Sequence, residues 1–381
     1  MTVFDVPLDE LRRRGSYKWR AYPEDVLPAF VAEMDVALAP AVRSALATAI
    51  ACGDAGYAWD DPAVAAALTE FTAARFDWQL DPSAVVLIPD VMAGVLGVLR
   101  LHCKPGDGVV VNTPVYPPFF SHIAEAGCRV VEAPLRNDEG IYVLDFDALE
   151  RAFASGARVH LLCNPHNPTG RVFARSDLQR VVGLAERYDV LVLSDEIHAP
   201  LVLPGAEHVP FLTLGERAAC RCIAFHSASK GWNIPGLKCA QAVATSPATR
   251  SLLGRVSEDA IYRTGYLGIV ATVAAYRESS EWLDELCTGL ERNRRLMSEL
   301  LAERLPLVRY SRPEGSYLGW LDCRRLQLED DPAAVFLERG RVALRPGPDF
   351  GSGGEGFVRV TMATSPPVLE EIVDRMAAAI S

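Results

Sequence analysis

Several features that mark other classes of protein are missing from this sequence of 381 residues. It has no apolar run long enough to span a bilayer. The N-terminal residues, which include Arg12–Arg14, lack the apolar core of an export signal. Internal repeats and low-complexity segments are missing as well. We therefore expect a cytoplasmic, globular protein with no membrane partner.

Basic tracts and metal-binding cysteine patterns are also lacking. The sequence has 38 basic and 49 acidic side chains, a net charge of −11, which argues against nucleic acid as a partner. Its nine cysteines follow no framework of spacings, as is typical of proteins in a reducing cytosol. Cys220 and Cys222 lack the second ligand pair of a zinc site, so we predict no bound metal.

What the sequence does contain is an alternation of strand-like and helical segments. Apolar runs typical of buried strands occur at 84–88, 109–112, 129–134, 159–164, 189–194, 222–227 and 238–245. Helical patterns lie between several of them, at Met92–Leu101, Phe119–Ala126, Phe146–Phe153 and Ser176–Tyr188. This alternation predicts an α/β fold with a mostly parallel sheet.

The segments on either side of this alternation have a different character. Helical patterns at 40–52 and 62–76 precede it, and a long helical region at about 250–305 follows it. The C-terminal part then combines helices with strands near 307–322, 341–345 and 357–362. That combination is typical of a smaller α+β domain.

One loop of the predicted sheet carries a single lysine among small hydroxyl residues. Ser227, Ser229 and Lys230 follow the apolar run that ends near Phe225. A lysine enclosed by strands and small residues is poorly hydrated, which lowers its pKa and frees its amine to attack a carbonyl. The two hydroxyls and the charge of Lys238 are suited to an anion. The stretch indicates a Schiff-base lysine beside a phosphate, which is how pyridoxal 5′-phosphate (PLP) is held, although Ser-x-Ser-Lys also occurs in ordinary loops.

Three other loops carry residues that suit the same ligand. Tyr116, Asn167 and Asp195 each follow one of the predicted strands. In an open α/β sheet, ligands gather at the loops after the carboxyl ends of the strands. An aromatic ring, an amide and a carboxylate are what a flat heteroaromatic aldehyde needs for stacking and hydrogen bonding. We therefore predict that these residues share a site with Lys230.

Three motifs in fixed order carry a resemblance to a known family. They are Asn-Pro-His-Asn-Pro-Thr-Gly from Asn164, Ser-Asp-Glu-Ile-His from Ser194, and Ser-Ala-Ser-Lys-Gly-Trp-Asn-Ile-Pro-Gly-Leu from Ser227. The chain resembles the fold-type I, aspartate-aminotransferase-like PLP enzymes along nearly its whole length. Fuller strings such as Val31–Asp35 and Pro114–Phe119 are similar to the cystathionine β-lyase-like (MalY/PatB) branch.

The resemblance also implies how the chain is divided. A large α/β/α domain that binds PLP would occupy residues 42–280 and contain a mostly parallel sheet of seven strands. A small α+β domain would combine residues 1–41 with residues 281–381. This arrangement is the PLP-transferase fold of type I.

The resemblance assigns roles around the cofactor that also make chemical sense. Lys230 would form the Schiff base and later move the Cα proton of the substrate. Asp195 would pair with the pyridine nitrogen and keep it protonated, whereas the alternative for this residue is a helix cap. Asn167 would hydrogen-bond the phenolic oxygen, His198 would lie beside it, and Tyr116 would stack on the ring.

By the same resemblance, a second group of residues would bind the cofactor phosphate. It comprises Ser227, Ser229, Lys238 and the amides of Val91 and Met92 at a helix N-terminus. Tyr57 would reach the phosphate from a partner subunit, which implies a homodimer with active sites shared across the interface. The alternative for Tyr57 is a tyrosine packed in the core.

The resemblance further implies a small-molecule amino acid as substrate. Ala32 and Arg359 would contact it, with Arg359 clamping its carboxylate through two hydrogen bonds. A surface arginine on a strand is the alternative for Arg359.

Three features depart from the pattern of the branch. Glu33 replaces an aspartate, Gly231-Trp232 replaces a small or hydroxyl residue followed by phenylalanine, and Asp90 stands where a glycine normally opens the phosphate-binding helix. We expect Asp90 to cap the helix that begins near Val91 and to turn away from the phosphate, because like charges repel. The alternative has Asp90 linked to the cofactor.

The resemblance implies α,β-elimination on cystathionine or another L-cysteine S-conjugate, which yields a thiol, pyruvate and ammonia. An aminotransferase and a decarboxylating oxidative deaminase of a cysteine S-conjugate remain alternatives, since all three activities share their early steps. A PLP-sensing transcription regulator is not expected, because the family pattern begins by Lys18 and leaves no room for a DNA-binding domain ahead of it.

Overall fold

The computed structural model describes residues 3–256 and 259–380. Its strands are β1 (Leu27–Pro28), β2 (Val85–Ile88), β3 (Gly108–Val111), β4 (Arg129–Glu132), β5 (Arg136–Asp138), β6 (Ile141–Val143), β7 (Val159–Cys163), β8 (Leu191–Asp195), β9 (Cys222–His226), β10 (Ala240–Val243), β11 (Arg309–Ser311), β12 (Leu318–Asp322), β13 (Val342–Ala343), β14 (Arg345–Pro346) and β15 (Phe357–Thr361). Its α-helices are α1 (Leu8–Leu11), α2 (Tyr17–Arg20), α3 (Pro40–Ala51), α4 (Pro62–Phe76), α5 (Val91–His102), α6 (Pro118–Glu125), α7 (Phe146–Ala154), α8 (Arg175–Tyr188), α9 (Glu216–Ala219), α10 (Ala228–Gly231), α11 (Pro247–Leu253), α12 (Asp259–Tyr262), α13 (Tyr266–Glu278), α14 (Ser280–Arg304), α15 (Pro332–Glu338) and α16 (Pro366–Ala378).

Seven strands form the main sheet, in the order β2-β10-β9-β8-β7-β3-β4. Strand β10 runs antiparallel to both of its neighbours, and the other neighbouring strands are parallel. The central strands are buried over their whole length, which explains why they appear in the sequence as largely apolar runs. The predicted α/β fold with a mostly parallel seven-stranded sheet is confirmed.

Helices cover both faces of this sheet because successive side chains of a strand point to opposite sides. Val110 and Leu162 pack on one face with residues of α4, α7, α8 and α13. Val109 and Leu161, their neighbours in sequence, pack on the other face with residues of α5, α6 and α11. The strand ends that carry functional loops are thereby held between two apolar layers.

A second sheet of four antiparallel strands has the order β11-β12-β15-β14. It packs with α14, α15 and α16 around a separate apolar cluster that includes Met297, Phe336 and Leu369. The N-terminal segment joins this part of the molecule, since β1 pairs in parallel with β13. The domain boundaries proposed at residues 41–42 and 280–281 stay a prediction.

Helix α13 lies unusually close to the loop that follows Lys230. A Cβ atom added to Gly265 or to Gly268 would stand 2.3 Å from the carbonyl oxygen of Leu237. The Gly265 N–H donates to the carbonyl oxygen of Lys238, at 2.8 Å. Two glycines therefore permit the contact that supports the backbone around Lys238.

Within residues 3–256 and 259–380, the structure contains no helix with the length and apolarity required to cross a membrane.

Candidate active site

A cavity of about 360 Å³ opens at the carboxyl ends of β7, β8 and β9. The predicted site residues that line it are Ala32, Val91, Met92, Tyr116, Asn167, Asp195, His198, Ser227, Ser229, Lys230 and Lys238. These are all the predicted site residues except Tyr57 and Arg359. The fold thus brings together side chains that are up to about 200 positions apart in sequence.

Lys230 projects from α10, the single helical turn that directly follows β9. Its Nζ donates to the carbonyl oxygen of Ala32, at 2.9 Å. Burial, reinforced by the charge of Arg359, lowers the pKa of Lys230 to about 8, although Asp195 opposes the shift. A substantial fraction of this lysine is therefore a neutral amine near pH 8, as a nucleophile or base requires.

Asp195 is the last residue of β8 and is almost completely buried. Its Oδ1 accepts a hydrogen bond from the Ile197 N–H, at 3.1 Å. Burial raises the pKa of Asp195 to about 7, even though that hydrogen bond and Lys230 both favour the charged form. A desolvated carboxylate of this kind is suited to a cationic partner within the cavity.

Arg359, on β15, reaches the site from the second sheet. Its Nη1 donates to Asn167 Oδ1 at 3.1 Å and its Nη2 to the Phe30 carbonyl oxygen at 2.8 Å, while its buried Nε has no partner. Burial lowers the pKa of Arg359 to about 10, which still leaves it protonated at neutral pH. In the described part of the chain no salt bridge to a carboxylate involves this arginine. The alternative of a surface arginine is wrong, because only 4% of the residue is exposed.

Asp90 occupies the end of the cavity predicted to bind phosphate. Its Oδ1 accepts the Ala93 N–H at 2.8 Å, so the predicted cap of α5 is confirmed. Its Oδ2 lies 3.0 Å from Lys238 Nζ, and Asp90 also lines the cavity. The expectation that Asp90 turns away from this end is therefore wrong, because its second carboxylate oxygen forms an ion pair with Lys238.

The hydroxyl of Ser227 is already engaged within the protein. It donates to the Cys239 carbonyl oxygen at 2.7 Å and accepts the Ser229 N–H at 3.1 Å. Ser227 therefore caps α10 and keeps little capacity to donate to a phosphate. The hydroxyl of Ser229 and the first turn of α5 at Val91, where helix amides lack intrahelical acceptors, offer better donors.

His198 lies against residues that the sequence analysis did not identify. Its Nδ1 is 3.0 Å from Ser316 Oγ, and its ring packs edge-on against Tyr317. Burial, together with the charges of Lys230 and Arg359, lowers the pKa of His198 to about 3, so the imidazole is neutral. Ser316 and Tyr317 directly precede β12, and no motif in the sequence pointed to them.

Glu196 forms a second buried polar network directly behind Asp195. It accepts hydrogen bonds from His208 Nε2 at 3.0 Å, Ser194 Oγ at 2.8 Å and the Phe211 N–H at 3.0 Å. Burial alone would raise the pKa of Glu196, but the His208 hydrogen bond and nearby histidines lower it overall. The motif around Asp195 contained Glu196, yet the partner at His208 was not predictable from spacing.

Two of the three departures from the branch pattern lie outside the cavity. Trp232 is fully buried and packs against Phe71 and Tyr276, with ring centroids 5.5 and 5.4 Å away. Glu33 accepts a hydrogen bond from Ser16 Oγ. We call residues 227–238 the lysine loop. The side chain of Trp232 is thus part of the core beneath this loop.

Tyr57 lies apart from the cavity of its own chain. It is 86% exposed, so the alternative of a packed core tyrosine is wrong. Ile50 and Trp59, in the same stretch of chain, are also large apolar residues exposed to solvent. Its predicted role at a neighbouring site stays a prediction.

Comparison with known proteins agrees with this geometry. Residues 33–376 match the model of the family described as aminotransferase class I and II. The cystathionine beta-lyase of Corynebacterium glutamicum is 36% identical, over 98% of this chain and 99% of its own. Cystathionine beta-lyase PatB of Bacillus subtilis is 33% identical, over 96% and 97%. The crystal structure of cystalysin from Treponema denticola, which contains PLP, superimposes with a TM-score of 0.91 at 29% identity, over 97% and 96% of the chains.

Proposed function

Because the chain belongs to the aminotransferase class I and II family, we propose that it is a PLP-dependent carbon–sulfur β-lyase. It would cleave cystathionine or another L-cysteine S-conjugate by α,β-elimination to a thiol, pyruvate and ammonia. One observation carries the proposal. Lys230, Asp195, Asn167 and Tyr116 line one cavity in a chain that is 36% identical, over nearly its full length, to a cystathionine beta-lyase.

The residues of the cavity fit PLP. Asp195 is a desolvated carboxylate that suits a protonated pyridine nitrogen, and the Tyr116 ring suits stacking. Lys238, Ser229 and the first turn of α5 form an anion-binding end. When bound there, the cofactor would supply an electrophilic carbon for the substrate amine and a conjugated ring that accepts electrons from the substrate Cα.

Lys230 would act at the substrate Cα. Its amine is held in place by the Ala32 carbonyl oxygen, and burial keeps its pKa at about 8, so the neutral form can accept the Cα proton. The electrons of that C–H bond are those that expel the thiolate from Cβ. Asp195, buried at the end of β8, would hold the proton on the pyridine nitrogen during this step.

Arg359 and Ala32 would bind the substrate carboxylate. A buried guanidinium without an anionic partner is unfavourable, so a ligand carboxylate that replaces the Phe30 carbonyl oxygen would be strongly held. Asn167 already contacts Arg359, so the side chain next to the predicted phenolic-oxygen site is linked directly to the carboxylate site.

A homodimer with shared sites is part of the proposal. The support for it is the exposure of Tyr57 and Trp59, which are costly to leave in water and lie outside the cavity of their own chain. Mixing Tyr57→Phe and Lys230→Ala subunits should restore activity, because one site of the hybrid then has both native residues. Absence of rescue, or a monomer in solution, would contradict the shared site. We also propose a cytoplasmic location, which the free cysteines favour.

Product analysis tests the reaction. Purified protein with PLP and cystathionine should release pyruvate without an added 2-oxo acid, and Lys230→Ala should release none. Turnover that requires a 2-oxo acid, with an amino product in equal amount, would identify an aminotransferase instead. Release of carbon dioxide with consumption of oxygen would identify the decarboxylating deaminase.

A further inference from the structure

Asn233 makes two hydrogen bonds to one distant residue. Its Oδ1 accepts the Met34 N–H at 2.8 Å, and its Nδ2 donates to the Met34 carbonyl oxygen at 2.8 Å. Both polar groups of that backbone unit thereby bond to one side chain, and the Met34 carbonyl oxygen also accepts a hydrogen bond from Arg14 Nη1, at 3.3 Å. Asn233 lies three positions after Lys230, whereas Met34 lies in the N-terminal segment 199 positions away.

The backbone at Asn233 explains why asparagine suits the position. Its φ of 55° is left-handed, a conformation that asparagine tolerates better than most residues. The turn is closed by a hydrogen bond from the Ile234 N–H to the Ser229 carbonyl oxygen, at 3.0 Å. A primary amide has both a donor and an acceptor, which pairing with both backbone groups of Met34 requires.

We call residues 30–36 the strap. Lys230 donates to the strap at the Ala32 carbonyl oxygen, and Asn233 binds the strap at Met34. The lysine loop therefore contacts the strap at two residues, which are separated by one position. Tyr317 also donates to the Ala32 carbonyl oxygen, at 2.9 Å. On its other side the strap is anchored by the buried ion pair of Lys18 with Asp35, at 2.7 Å.

We propose that Asn233 is a positioning residue that ties the strap to the lysine loop, so that Lys230 and the substrate-contacting residue Ala32 keep one fixed relative position. The inference rests on the proposed function for the roles of Lys230 and Ala32. The two hydrogen bonds of Asn233 that carry it involve no ligand. If the link is broken, the strap can move away from Lys230 and expose its amine to more water.

Hydrogen exchange and spectroscopy of the PLP-loaded protein test the proposal. Asn233→Gly removes both side-chain hydrogen bonds and accepts the left-handed backbone without strain. Amide exchange should rise about tenfold or more in the strap and also in residues 228–234, since two hydrogen bonds are lost. The pH midpoint of the cofactor absorbance should rise, because water stabilises the protonated nitrogen of Lys230.

Thr361→Val is the matched control. Thr361 Oγ1 donates to the strap at the Val31 carbonyl oxygen, 2.7 Å away, but makes no hydrogen bond to the lysine loop. Its removal should raise exchange in the strap and leave both the exchange of residues 228–234 and the absorbance midpoint unchanged. Equal shifts of the midpoint in Thr361→Val and Asn233→Gly would overturn the proposal, because any loosening of the strap would then suffice.

Kinetics give the second arm of the test. For Asn233→Gly we expect kcat/KM to fall by about tenfold or more, with Asn233→Asp in between, because aspartate keeps the acceptor for the Met34 N–H but loses the donor. If the glycine variant does not fold, the same exchange and absorbance measurements on the aspartate variant test the proposal. Unchanged exchange in residues 228–234 would overturn the proposal, whichever reaction the protein catalyses.

Discussion

The pairing of Asp90 with Lys238 makes a prediction that can be worked out in detail. Asp90 uses one carboxylate oxygen to cap α5 and the other to contact Lys238 Nζ at 3.0 Å. Replacement by asparagine keeps the capping oxygen but removes the charge. Replacement by alanine removes both. Comparison of the two variants therefore separates the cap from the ion pair.

The magnitudes follow from burial. The Asp90 and Lys238 side chains are 40% and 56% exposed, so their ion pair is screened by water and worth ~0.2–1 kcal/mol. Releasing Lys238 to bind phosphate should tighten PLP binding by no more than about fivefold, since 1 kcal/mol corresponds to about that factor. Loss of the cap should lower the free energy of unfolding by ~1 kcal/mol in Asp90→Ala only.

Two measurements check these values. PLP titration of the cofactor-free variants should show tighter binding for Asp90→Asn at low salt, with the difference shrinking as salt screens Lys238. Chemical denaturation should show a loss of stability in Asp90→Ala and almost none in Asp90→Asn. A large loss of PLP affinity in both variants would refute the reasoning and show that the Asp90 carboxylate is part of the cofactor site.

Three further predictions concern the lysine, its neighbours and the core. Borohydride should fix PLP to Lys230, and Lys230→Ala should lower turnover by ~10²–10⁴-fold or more; label recovered on another lysine would contradict the assignment. In cofactor-free protein, burial raises the pKa of Asp195 from its ordinary 3.8 to about 7. The folded state therefore binds the proton more tightly than the unfolded state does. The resulting contribution to the free energy of unfolding is fully present below about pH 4 and is lost as the pH rises towards 7. Asp195→Asn should remove that part of the pH dependence in denaturation curves, and an unchanged profile would count against it. Trp232→Ala should lower the free energy of unfolding by ~3–5 kcal/mol, because the indole is fully buried; a loss below ~1 kcal/mol would show that the core does not depend on it.

The sequence predicted the elements of the large sheet because their signals are local. The apolar runs of β7, β8 and β9 are buried from end to end, and the helical pattern predicted at 62–76 corresponds to α4, which begins with a proline. The sequence predicted a long helical region at about 250–305, and the described part of the chain contains α11, α12, α13 and α14 there.

Hydrogen bonds between residues far apart in the chain could not be predicted from the sequence. The contact of Lys230 with Ala32 joins residues 198 positions apart, and that of Asp90 with Lys238 joins residues 148 positions apart. Spacing rules describe neighbours on one element, so they cannot tell which carbonyl a lysine will reach. Family resemblance identified the residues of the cavity, whereas the engaged hydroxyl of Ser227 became visible only in three dimensions.

The close approach of α13 to the lysine loop limits how this protein can evolve. Gly265 and Gly268 carry no functional group, yet any other residue would place its Cβ 2.3 Å from the Leu237 carbonyl oxygen, and backbone cannot yield as a flexible side chain can. Substitutions there would displace Lys238 without altering a single polar side chain. A mutational scan should therefore find two intolerant positions that contribute no side chain to the cavity, and libraries that aim to reshape the cavity near Lys238 should leave both glycines untouched.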